Sequence, residues 1–171
     1  MTARDGPRGA DIIAALKEAR VRHVAALPDI TTSAGLLWPI SRDPDLRLIR
    51  LCKEDEGVSI CAGLAFCELR AVLLMQQTGF LDSINAIRAI AVEYGHPICM
   101  LIGLLQKEPG RAPTESDHYG VRIVEPILDA MGIEHLLIEE PGDVELLAPA
   151  IGRAYETSRP LAALIGRPVV R

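Results

Sequence analysis

No block of Lys and Arg occurs anywhere in the 171-residue chain, and its formal net charge is -5 with a pI near 5.4. A nucleic-acid binder carries a basic footprint, so nucleic acid is not an expected partner. No apolar run approaches the ~20 residues that a membrane helix requires. The opening Met-Thr-Ala-Arg-Asp-Gly-Pro-Arg-Gly also lacks an apolar signal region. The expectation is a cytoplasmic protein with no membrane contact. Cys52, Cys61, Cys67 and Cys99 include no Cys-x-x-Cys pair, and each sits in an apolar context where Cys acts as a small hydrophobe, so all are read as reduced. His23, His96, His118 and His135 show no ligand spacing with Cys or acid, which argues against a zinc site built from this chain. Neither Gly-x-Gly-x-x-Gly nor Gly-x-x-x-x-Gly-Lys-Ser/Thr is present, so there is no self-sufficient nucleotide loop. The absence of Gly-x-Ser-x-Gly removes the commonest serine hydrolase.

What is present is apolar material for one core. A chain of this length with 49% hydrophobic residues supports one sizeable core and is too short for two ordinary domains. Residues 1–9 are expected to be a disordered lead-in and residues 10–171 a single domain. Ile12, Ile13, Leu16 and Ala19 recur at helical spacing over about 10–20, and a strand follows at 21–27. Pro28-Asp29 breaks the chain, and Pro39 should end a short helix over 34–38. Next come a strand at 46–51, an apolar helix from about 54 to 70, and a strand at 71–76. A helix over 82–94 with Gly95 as its stop, a strand at 98–102 and an aperiodic loop over 103–119 follow. A helix at about 124–131, a strand at 135–138, a helix at 144–158 and a strand at 161–165 complete the chain. This alternation predicts an α/β three-layer sandwich: a parallel sheet of about six strands with helices on both faces.

Glu54, Asp55 and Glu56 stand at the mouth of the apolar helix. Helix N-termini favour negative charge, so these acids start the helix in the plain reading. From Val58 to Cys67 the residues are apolar or small all round, which predicts a buried helix. A carboxylate beside a buried surface gains proton affinity and can share a proton with a bound heterocycle. Thr78-Gly79 stands at the carboxyl end of a central strand, where open α/β sheets place ligands, although any strand-to-helix turn can call for Gly. Gln76, Gln77 and Asn85 surround the same turn. His118, in the long loop with Glu115 and Asp117, is either a solvated residue or a proton-transfer group. Asp29 after Pro28 reads first as a turn acid. Lys107, Arg111 and Arg122 either meet an anionic substrate or balance Glu108, Glu115 and Asp117.

Glu56-Gly57 leading a small-residue helix, a strand ending in Met75-Gln76-Gln77-Thr78-Gly79, and Asn85 on the next helix together resemble the pyrimidine-binding domain of thiamine-diphosphate enzymes. Leu27-Pro28-Asp29, Glu108-Pro109-Gly110 and His118 before Gly120 extend the resemblance to the phosphonopyruvate and sulfopyruvate decarboxylases, particularly the separate alpha subunit of the latter. It spans about residue 10 to the end. Where relatives carry Gly-Asn, this chain has Leu81-Asp82. The resemblance implies a carbon-carbon lyase subunit in which Glu56 bonds the aminopyrimidine of thiamine diphosphate, with Gln77, Thr78 and Gly79 as further cofactor contacts. It implies that His118 and Asp29 handle protons, and that Asp29, Lys107, Arg111 and His118 face a 3-sulfo- or 3-phosphono-pyruvate-like 2-oxo acid. The Gly-Asp-Gly motif that holds Mg2+ and the diphosphate is missing here, so the resemblance implies a beta subunit that carries it, with self-association as well. The competing expectations are a non-catalytic or regulatory subunit of the same fold, a thiamine-dependent carboligase subunit, and an unrelated flavodoxin-like binding domain.

Overall fold

The computed structural model describes residues 6–170. Its strands are β1 (His23–Ala26), β2 (Arg47–Arg50), β3 (Ala71–Gln76), β4 (Cys99–Gly103), β5 (Glu134–Ile138) and β6 (Leu161–Ile165). All pair in parallel in the order β2-β1-β3-β4-β6-β5. Strands β4 and β6 are buried at every position and β3 at all but its last, as expected where both faces of a sheet are covered. Edge strand β2 exposes Arg47 and Arg50, charges that discourage pairing with a further strand.

Side chains alternate along each strand and feed two separate cores. Val24, Val72, Leu74 and Leu101 pack under α1 (Gly9–Glu18), the helical segment 33–40 and α8 (Leu147–Thr157). Ala25, Leu73, Met75 and Met100 pack under α3 (Glu54–Phe66), α4 (Gln77–Asp82), the wide helical turns Ile87–Glu93, and α7 (Val124–Ala130). The result is the three-layer α/β sandwich that the alternation predicts. No helix among the described residues is long and apolar enough to cross a membrane.

Four local expectations are corrected. Residues 1–5 of the expected lead-in lie outside the described residues, but residues 6–9 are packed. The Gly9 N–H donates to Val170 O at 2.8 Å and the Val170 N–H to Pro7 O at 2.9 Å. Pro39 does not end its helix: wide turns over Ser33–Leu37 run on into α2 (Trp38–Ile40), and the widening gives the proline ring room where a regular turn would clash. The chain enters α4 directly from β3, so Thr78-Gly79 form a first helical turn, not a loop. The helix then breaks at Ser83 and continues through α5 (Ile84–Ala86) and the Ile87–Glu93 turns to Gly95 at φ 69. Helix α3 stops at Phe66 and is not buried all round. Ser59, Gly63 and Phe66 face outward, with Phe66 83% exposed. Cys52 and Cys67 are likewise exposed, whereas Cys61 and Cys99 are buried and all four are free thiols.

From β1 the chain moves outward to β2 and then crosses back to β3 on the other side. The segment leaving β1 runs to the face of α1 and α8, touching Gly103 at the end of β4 on its way, whereas α4 leaves β3 on the face of α3; the crevice between them, at the strand ends, is where such sheets bind ligands.

Candidate functional site

Three segments meet at the carboxyl ends of the central strands. After β1, the Asp29 carboxylate accepts hydrogen bonds from the Thr32 N–H at 2.6 Å and the Thr32 hydroxyl at 2.5 Å, and the Asp29 N–H donates to Ser33 Oγ at 2.7 Å. Both oxygens hold the turn into the next helix, the role of a turn acid. The turn presses Thr31 and Thr32 against Gly103 and leaves the buried Thr31 Oγ1 without a hydrogen-bond partner.

The second segment is the mouth of α3, where the three acids separate. Glu56 is exposed and its Oε2 turns back to accept the Cys52 N–H at 2.9 Å. Asp55 pairs with Lys53 at 3.3 Å. Glu54 is half-buried and makes no hydrogen bond or ion pair among the described residues. Its side chain lies against Gly79 so closely that a Cβ there would overlap the carboxylate. A side chain at this position in the first turn of α4 would therefore push aside the acid that reaches over from α3. Helix geometry explains the sorting: Glu54 stands three, four and seven residues before Gly57, Val58 and Cys61, which are all buried, so it shares their face. Glu56 shares the outward face with Ser59, Gly63 and Phe66. That periodicity was the available signal for Glu54, and reading α3 as buried on every side concealed it. Asp82 pairs with Lys53 at 3.0 Å and so links α4 to the start of α3. Burial pushes the Cys61 thiol on the inner face up to about 12, so it is a packing group and not a nucleophile.

The remaining polar residues of this turn are used locally. Gln77 is buried, accepting the Leu105 N–H at 2.8 Å and donating to Leu105 O at 3.3 Å, so its amide clamps the long loop to α4. Thr78 is exposed, and its Oγ1 accepts from Gln76 Nε2 at 2.9 Å.

The third segment is the loop over 104–118. Lys107 has a fully buried side chain whose Nζ meets Glu139 Oε1 at 2.5 Å and Glu108 O at 3.1 Å, which ties the loop to the end of β5. Glu108 accepts from the Ser116 hydroxyl at 2.7 Å and the Asp117 N–H at 3.0 Å. The Ser116 bond above all holds its carboxyl down at about 2. Arg111 pairs with Asp117 at 2.9 Å and approaches Glu108 at 3.7 Å, so it balances the acids of its own loop. His118 is exposed and caps α6 (Tyr119–Arg122), its N–H donating to Ser116 Oγ at 3.1 Å. Helix α6 packs on α4, with Gly120 beside Leu81, so His118 stands at the start of a helix that neighbours α4. Arg122 donates to Ser116 O at 2.7 Å, lies 5.4 Å over the Tyr119 ring and has no carboxylate partner among the described residues.

Of the expected site residues, the structure places Asp29, Thr78 and Gly79 at the carboxyl ends of β1 and β3 and adds Glu54, with His118 at the start of the neighbouring α6. It commits Gln77, Lys107 and Arg111 to the framework of the loop, and it turns Glu56 outward.

No family profile matches the chain. Sequence comparison nevertheless finds relatives along most of its length. It is 27% identical over 155 residues to sulfopyruvate decarboxylase subunit alpha of Methanocaldococcus jannaschii, covering 88% of each chain. A shorter match of 88 residues, 31% identical, covers 52% of the chain and 52% of the alpha subunit from Methanococcus maripaludis. Against the sulfopyruvate decarboxylase of Methanosarcina acetivorans it is 29% identical over 157 residues, covering 90% of this chain but only 38% of that longer protein. The chain is therefore similar, over nearly all of its described fold, to proteins named as sulfopyruvate decarboxylases or their alpha subunits.

Proposed function

We propose that this chain is the alpha subunit of a two-chain, thiamine-diphosphate-dependent decarboxylase of a 3-sulfo- or 3-phosphono-pyruvate-like 2-oxo acid. In this reading a beta subunit holds Mg2+ and the diphosphate, and the aminopyrimidine ring enters the β1–β3 crevice. The observation that carries it is Glu54: a half-buried carboxylate with no partner of its own, at a strand-end crevice, against a glycine that leaves it room. Such a group fits an aminopyrimidine, whose ring nitrogen needs one hydrogen-bonding acid. Glu54 thus takes the role expected of Glu56.

When bound, thiamine diphosphate supplies a nucleophilic thiazolium carbon and an electron sink for the pair released with carbon dioxide. The chain's own residues do the rest. Glu54 holds a proton at the ring nitrogen. Asp29 fixes the turn that forms the crevice wall, and Thr31 offers a buried hydroxyl there. His118 stands at the α6 cap as a proton donor to the product. With Lys107 and Arg111 held by acids, Arg122 at the end of α6 is the cation beside the loop left to meet the anionic tail of the substrate. Exposed Ile30, Phe66, Tyr94 and Tyr119 give the surface an apolar character that suits contact with other chains.

The test is carbon dioxide release from sulfopyruvate and other 2-oxo acids by the chain reconstituted with a beta-type partner, thiamine diphosphate and Mg2+. Glu54→Gln should lower kcat by at least about 100-fold and Glu56→Gln by no more than a few-fold. An active Glu54→Gln complex would remove the assignment. A regulatory subunit of the same fold is the second reading, favoured by Asp82 and by the committed Gln77 amide. It predicts that both substitutions leave turnover unchanged.

A further inference from the structure

A second concave site lies at the opposite end of the sheet, where the strands begin. A cavity of about 310 Å3 is lined by Arg20, Arg22, His23, Glu68, Leu69 and Arg70. It shares Glu68 and Arg70 with a neighbour of about 440 Å3, whose walls include Phe66, Pro97 and Tyr155. Three arginines therefore line one hollow in a chain whose net charge is -5. None forms an ion pair among the described residues. Two are instead held by backbone carbonyls: Arg22 donates to Val21 O at 3.0 Å, and Arg70 donates to Ala19 O at 2.8 Å while lying 4.9 Å over the Tyr155 ring. Each such bond uses a single donor of a five-donor fork and leaves the others free. His23 lines the same hollow, and its buried Nδ1 has no hydrogen-bond partner among the described residues. Arg20 ends α1 at φ 62, a position where glycine is the ordinary residue, yet the chain carries an arginine facing the cavity.

We propose that this cleft binds a small organic oxyanion of the phosphate type. Its charged head sits among Arg20, Arg22 and Arg70, and its body lies against Phe66, Pro97 and Tyr155. The planar forks suit the bidentate recognition of such a head, and Glu68 restricts it to the arginine side. The site is separated by the length of the strands from the β1–β3 crevice, and it stands whether or not the chain is a decarboxylase subunit.

The experiment is calorimetric titration of the full chain with inorganic phosphate and with phenyl phosphate, against sodium chloride at equal ionic strength. Saturable binding of both is expected, with phenyl phosphate the tighter. Arg20→Gly should weaken it about tenfold without lowering Tm, since glycine suits that backbone conformation. Arg22→Ala should weaken it similarly. Heats no greater than those of sodium chloride, or unchanged affinity in both variants, would overturn the site. Equal affinity for the two phosphates would overturn the role of the apolar wall.

Discussion

At the scale of single residues, the crevice is governed by which side chains already have partners. Lys107 illustrates the committed kind. Its ammonium is buried and paired, with Glu139 only 15% exposed. Removing one partner of such a pair leaves an uncompensated charge inside the protein, and the cost is about 3–5 kcal/mol. Lys107→Ala should therefore shift the urea midpoint strongly downward, and Lys107→Ala with Glu139→Ala should recover part of the loss. A substrate-binding lysine would show neither effect. Glu54 illustrates the uncommitted kind. The presence of an acid at the mouth of α3 was legible in the sequence, but the choice between Glu54 and Glu56 depends on which face of α3 meets the sheet. Because α3 is apolar or small on its outward face too, the contrast between its faces is weak, and only packing against Leu51, Leu73 and Gly79 resolves it.

At the scale of elements, the 104–118 loop is an ordered structure built around Glu108. Hydrogen bonding to Ser116 and Asp117 holds the Glu108 carboxyl at about 2, below its ordinary value of about 4.3. The sign follows from proton linkage: a carboxyl lowered by folding contributes order above its unfolded pKa and loses it as pH falls through the folded one. The Asp117 amide should thus be protected from hydrogen exchange above about pH 4, and that protection should fade between about pH 4 and pH 2. Glu108→Gln should show no such transition in an NMR titration. Strands β3, β4 and β6 and helix α8 were legible because continuous apolar runs and a clear helical period mark them. The start of α4 was not, since Gln77-Thr78-Gly79 reads as a turn and becomes helical only by docking on α3 and Leu105. Pro39 misled in the opposite direction, because a wide turn accommodates what a regular one rejects.

At the scale of the whole molecule, the parallel sheet and its two helical layers follow from the order of elements, so the fold class was legible from the chain alone. What the order of elements does not reveal is the outward surface. Phe66 and Tyr94 are 83% and 78% exposed. If that surface receives another chain, Phe66→Ser should leave the unfolding of the isolated chain within about 0.5 kcal/mol of the original. The same change should weaken co-purification with a beta-type partner about tenfold or more. A partner bound equally well by the variant would place the interface elsewhere. The central claim concerns the crevice, where Glu54 is proposed to bond the ring of thiamine diphosphate. Its most direct test is deuterium exchange at the thiazolium carbon of thiamine diphosphate bound to the reconstituted complex. Exchange should slow by at least about 100-fold in Glu54→Gln and stay near the unmodified rate in Glu56→Gln; exchange as fast in Glu54→Gln as in the unmodified complex would contradict the account.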